Sequence, residues 1–92
     1  MSYREMSKTL LQQENPRELK RLKEAGILEQ TVVEVGELFD DQEQTIVEQM
    51  TADLPAGMSD LERTQEENMA RIVAREVTAH DLAEFWRSGG DE

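Results

Sequence analysis

No cysteine occurs in the 92 residues, so disulfides, thiolate metal sites and thiol nucleophiles are all excluded. Histidine is nearly as scarce. Histidine catalysis would rest on His80 alone, and a helix-surface place beside Thr78 is its plainer reading. No Ser sits in a nucleophile motif, and no HExxH or phosphate-binding glycine loop is present. Aromatic residues make up 4% of the chain and hydrophobic residues 37%, so the core one copy can build is modest. A chain of this length buries only about 60–65% of the surface that its extended form exposes. Apolar runs are short as well. None approaches the roughly 20 residues needed to span a bilayer, and the N-terminus has no signal-peptide core. A soluble, cytoplasmic protein without a cofactor is expected, folded as one domain over residues 1–92.

Basic charge is the other shortage, and it is local. Between Glu29 and Glu67 stand twelve Asp or Glu residues and a single base, Arg63. Residues 1–28 are closer to balance, with six Lys or Arg against four acids; residues 68–92 carry three against five. The net charge of −11 therefore sits mainly on the middle of the chain. Such a field repels nucleic acid and anionic lipid, so direct nucleic-acid binding and membrane association are not expected. It favours a basic protein partner, or it keeps a helical domain soluble.

What is present is helical periodicity. Tyr3, Met6, Leu10 and Leu11 recur at three- and four-residue intervals and predict a first amphipathic helix over 3–14. Asn15, Pro16 and Glu18 form a start signal for a short second helix carrying Leu19 and Leu22 inward. Gly26 supplies its left-handed end. A long central helix follows over about 27–53, with Leu28, Val32, Val35, Phe39, Ile46 and Met50 on one face and Gln42 filling the missing step. Gly36 in its interior signals either a close helix crossing or a bend. Residues 54–58, Leu-Pro-Ala-Gly-Met, break the chain. Ser59 and Glu62 then read as a capping box for a helix through Val77 bearing Leu61, Met69, Ile72 and Val73. Leu82, Phe85 and Trp86 fall off that stripe, and Thr78 with Asp81 offers a second capping box, so a kink or restart is expected near Thr78. The tail 88–92 is expected to be disordered. The fold class is all-α: a small bundle of four to five helices with one long central helix, packed as a dimer.

Three groups of residues merit weighing as sites. Asp40, Asp41 and Glu43 lie in the acidic stretch and are candidates for contact with a basic partner. Leu82, Phe85 and Trp86 form a concentrated apolar group, fit either for the core or as interface anchors. Arg17, Lys20, Arg21 and Lys23 crowd the second helix, where pairing with acids of the same or another subunit is favoured over phosphate contact. Metal ligation has one opening. Glu34, Glu37 and Asp41 share a helix face, as magnesium ligands would. That arrangement resembles the first acidic helix of the all-α nucleotide pyrophosphohydrolases of the MazG type, which implies a magnesium-dependent hydrolase. The second helix of that pattern, with its Glu-x-x-Asp pair, has no counterpart here; the Glu-x-x-His pairs of di-iron bundles are missing too.

The order of elements resembles another family. Asn15-Pro16-Arg17-Glu18-Leu19, then Gly26-Ile27-Leu28 leading into the acidic 34–50 helix, and later Asn68-Met69-Ala70-Arg71 through Arg75-Glu76-Val77, are similar to the small TnpV-type proteins of mobile elements. The resemblance spans about residues 9–82. It implies a mobile-element accessory protein and carries no residue roles. The leading expectation is a small acidic non-enzymatic interaction or regulatory module, homodimeric, with no catalytic, cofactor or metal residues. An acidic inhibitor occupying a basic nucleic-acid-binding surface of another protein is one alternative, and a magnesium-dependent nucleotide pyrophosphohydrolase-like enzyme is the other.

Overall fold

The structure, a computed structural model, describes residues 1–89. Four helices and no strand occur among them: α1 (Tyr3–Glu14), α2 (Pro16–Ala25), α3 (Leu28–Thr51) and α4 (Asp60–Arg87). The all-α expectation holds. Of the tail 88–92, Ser88 and Gly89 close α4, and residues 90–92 lie outside the described residues.

Local chemistry explains the helix starts. Ser2 and Ser59 each accept from the backbone N–H three residues on, while Glu5 and Glu62 reach back to the cap N–H. Asn15 ends α1 and starts α2. Its Oδ1 accepts from the Glu18 N–H at 3.2 Å, and its Nδ2 donates to the Trp86 carbonyl at 2.9 Å. One side chain thus caps α2 and anchors the end of α4. Gly26 terminates α2 at φ 73°, where a Cβ would be strained.

The core lies where all four helices meet. Tyr3, Leu11, Leu22, Val32, Phe39, Leu82 and Trp86 are buried there, with Met6, Leu10, Leu19, Leu28, Val35, Ala79 and Phe85 packed around them. Gly36 is a close crossing. A Cβ there would meet the Arg4 backbone N at 3.2 Å, so α1 lies tight against α3 at this point.

One expectation changes and one open choice closes. First, α4 runs unbroken through Thr78 for 28 residues and is longer than α3, with 24, so the chain has two long helices. The hydroxyl of Thr78 is buried and makes no well-aligned hydrogen bond, while Asp81 accepts from Gln42 Nε2 at 2.7 Å. Neither residue serves as a cap. The apolar stripe survives without a restart because Ala70, Ala74, Thr78, Leu82 and Trp86 are buried at strict four-residue steps. Each step overshoots a full turn by about 40°, so the buried stripe winds round a continuous helix. Second, Leu82 and Trp86 are core, almost wholly enclosed by their own chain. Neither is on offer to another molecule.

The molecule is a rod of 56 × 23 × 19 Å with a radius of gyration of 16.4 Å, against about 12 Å for a compact chain of this length. Its elongation has a simple cause. The first turn of α1 sits beside Gly36, Glu43 and Arg75, so beyond that level only α3 and α4 continue. Residues 44–74 form a two-helix arm, in which Ala70 and Ala74 alone are buried.

Candidate interaction surface

At the base of the arm, α1, α3 and α4 are joined by a polar pin. The Tyr3 hydroxyl donates to Glu43 Oε1, and Arg75 Nη1 donates to the same oxygen at 3.3 Å. The Arg75 guanidinium lies 4.4 Å from the centre of the Tyr3 ring, a cation–π contact, and also donates to the Met1 carbonyl. Burial, and then the Glu43 carboxylate, push the Tyr3 hydroxyl up to about 12; Arg75 and Thr78 act the other way. Glu43 is thereby an internal ligand of the fold. It leaves the set of acids that a partner could claim, whereas Asp40 and Asp41 are exposed and carry no ion pair among the described residues.

The remaining candidates are dispersed. Glu34, Glu37 and Asp41 are exposed, and among the described residues no group of three His, Asp or Glu gathers as a metal ion requires. His80 is exposed. Arg17, Lys20 and Lys23 are exposed on α2, and Arg21 pairs with Glu18 at 2.6 Å within the same helix, drawing the Glu18 carboxyl below its usual range. The bases that tie helices together are others. Lys8 and Arg4 both reach Glu29, at 2.6 and 3.4 Å, and hold its carboxyl low. Phe85 is half-buried, packed edge-on against Phe39 with centroids 5.6 Å apart and against Trp86 at 5.0 Å.

Two hollows flank the arm's base. One, about 310 Å³, is lined by Ser2, Arg4, Val33, Gly36, Glu37 and Asp40. The other, about 240 Å³ and almost entirely apolar, is lined by Met1, Met6, Thr9, Leu10 and Ala79.

The arm itself is what the sequence reading missed. Leu61, Met69 and Ile72 are 69%, 55% and 54% exposed, so their spacing does not mark the face that packs on the core. The residues that face α3 are the small Ala70 and Ala74. A signal was there to be read. Leu61, Gln65, Asn68 and Ile72 are spaced four, three and four, and none is charged in a chain that is 34% charged. No helix among the described residues is long and apolar enough to cross a membrane. No protein-family model, curated protein or solved structure matches the chain.

Proposed function

We propose that the chain is a small acidic non-enzymatic interaction module, homodimeric and cytoplasmic, whose working surface is the α3–α4 arm. One observation carries the reading: large apolar side chains of α4 stand in water on an arm that no other described residue covers. Exposed apolar groups aligned on one helix face mark a protein contact more often than a reaction site. The setting implied by the TnpV-type resemblance, a mobile-element accessory protein, belongs to the same proposal.

The test is affinity capture from the native cell with a tagged chain, comparing the wild type with a Leu61→Asp/Ile72→Asp variant. Both substitutions fall on exposed positions, so helix content should match by circular dichroism. Loss of the captured protein, untagged copies of the chain included, is the expected result. Equal capture by both forms defeats the reading.

A second reading rests on Asp40 and Asp41, exposed acids on the outer side of α3: an acidic cover for a basic nucleic-acid-binding surface of another protein. It requires binding that falls steeply with salt and weakens in Asp40→Asn/Asp41→Asn. Glu43 is unsuited to that test, because its neutralisation would loosen the Tyr3–Arg75 pin.

A further inference from the structure

We infer that the occupant of the arm's open face is a second copy of the same chain, paired antiparallel along α4; this rests on the proposed role of the arm. Surface area gives the first argument. A compact monomer of 10.6 kDa exposes about 5,500 Å² by the mass scaling of accessible surface, whereas this chain exposes 6227 Å². The surplus, roughly 750 Å², is close to the ~800 Å² that each partner contributes to a stable interface of standard size.

The seam gives the second. The spacing of Leu61, Gln65, Asn68 and Ile72 reads the same from either end. A two-fold axis at its centre sets Leu61 opposite Ile72 of the second copy and Gln65 opposite its Asn68. Each layer is then apolar against apolar or amide against amide. Polar pairs of this kind fix the register of helical seams. The edge charges agree. Arg71 of one copy falls two residues, about 3 Å along the axis, from the level of Asp60 of the other, on the same flank of the seam, and both are exposed.

The hollow at the base supplies a third. The same register sets Asp60 level with Val73 of the other copy, so the tip beyond it, Leu54 to Met58, lies toward that copy's base. There the apolar recess of Met1, Met6, Thr9, Leu10 and Ala79 lies open. Leu54 and Met58 are only partly covered in their own chain. Tip and recess are therefore partly open apolar groups toward the same end of the seam.

Like charge opposes the pairing without forbidding it. Residues 44–74 carry six acids and two bases, so two arms repel at low ionic strength. Added salt should strengthen this dimer, the opposite of what a basic partner would show.

Two measurements test the inference. Sedimentation equilibrium should give a dimer at micromolar concentrations, tightening with salt, with Ile72→Asp raising its Kd by at least ~100-fold. The absence of native cysteine makes the second clean. Leu61→Cys and Ile72→Cys proteins, oxidised separately, should stay largely unlinked, and their mixture should form a disulfide-linked heterodimer. A wild type that stays monomeric at about 200 µM overturns the inference, even if capture finds a different protein on the arm. Homodisulfides of each protein alone, with none in the mixture, would mean a parallel pair and overturn it as well.

Discussion

Tyr3 shows how one side chain can hold a terminal helix in place. Its ring is buried, its hydroxyl donates to Glu43 on α3, and Arg75 of α4 covers its face. Because the folded state raises the hydroxyl from its ordinary value near 10 to about 12, the protonated phenol belongs to the native state. Below pH 10 that contribution is intact. Between pH 10 and about 12 the unfolded chain loses the proton and the folded chain keeps it, so stability falls with rising pH. The slope is about 1.4 kcal/mol per pH unit across that window. Urea midpoints measured from pH 9 to pH 11.5 should show the fall, and Tyr3→Phe should flatten it. An equal slope in both proteins would mean that Tyr3 titrates as it does when unfolded. Thr78, against the same pin, behaves differently. Its buried hydroxyl makes no well-aligned hydrogen bond, so Thr78→Val removes an unsatisfied polar atom at nearly constant shape. An increase in stability of up to about 1 kcal/mol is expected by urea denaturation. A loss of that size would show the hydroxyl to be a true partner of Tyr3.

Helices that begin on their own caps were legible from the residues alone; those whose ends depend on neighbours were not. Asn15, Ser59 and Gly26 act within four residues of sequence, and each stands where its chemistry requires. Thr78 and Asp81 have the same local pattern as Ser59 and Glu62, yet they lie inside α4. Asp81 is bonded instead to Gln42, distant in sequence, and the Thr78 hydroxyl is buried. The side of α4 that faces inward was hidden for a related reason. Alanines at 70 and 74 give a weak hydrophobic signal beside Leu61, Met69 and Ile72, although the alanines are what let α3 and α4 approach. Gly36 presents the same logic between α1 and α3, and there it can be tested. Alanine would trade a helix-propensity gain of up to about 1 kcal/mol against contact with the Arg4 backbone, whereas valine adds bulk with little such gain. Gly36→Val should lower stability by about 1–3 kcal/mol through overpacking at the α1 crossing. Urea denaturation followed by circular dichroism would measure it, and a cost below about 0.5 kcal/mol would mean that α1 yields freely.

Across the whole rod, stability should follow the distribution of buried surface. The four-helix end holds every large buried side chain among the described residues, and the arm holds two buried alanines. Cooperative units with few buried apolar contacts open at lower free energy than the core. In dilute solution, amide hydrogens of residues 44–51 and 62–73 should therefore exchange faster than those of residues 32–40 and 79–86. The acidic middle of the sequence enters here too. Six acids against two bases over residues 44–74 put like charge on both helices of the arm and can do little to hold the pair together. Self-association changes this in a defined place. If α4 pairs with α4 of a second copy, raising the protein concentration should slow exchange from Leu61 to Ile72 while leaving 32–40 unchanged, because the core gains no new contact. Hydrogen exchange read by mass spectrometry at two concentrations, spanning about 1 to 200 µM, separates the possibilities. Protection confined to the arm and abolished by Ile72→Asp is the expected pattern. Arm exchange that is slow at every concentration would mean that α3 and α4 need no further cover, and the exposed leucine, methionine and isoleucine would then be ordinary surface.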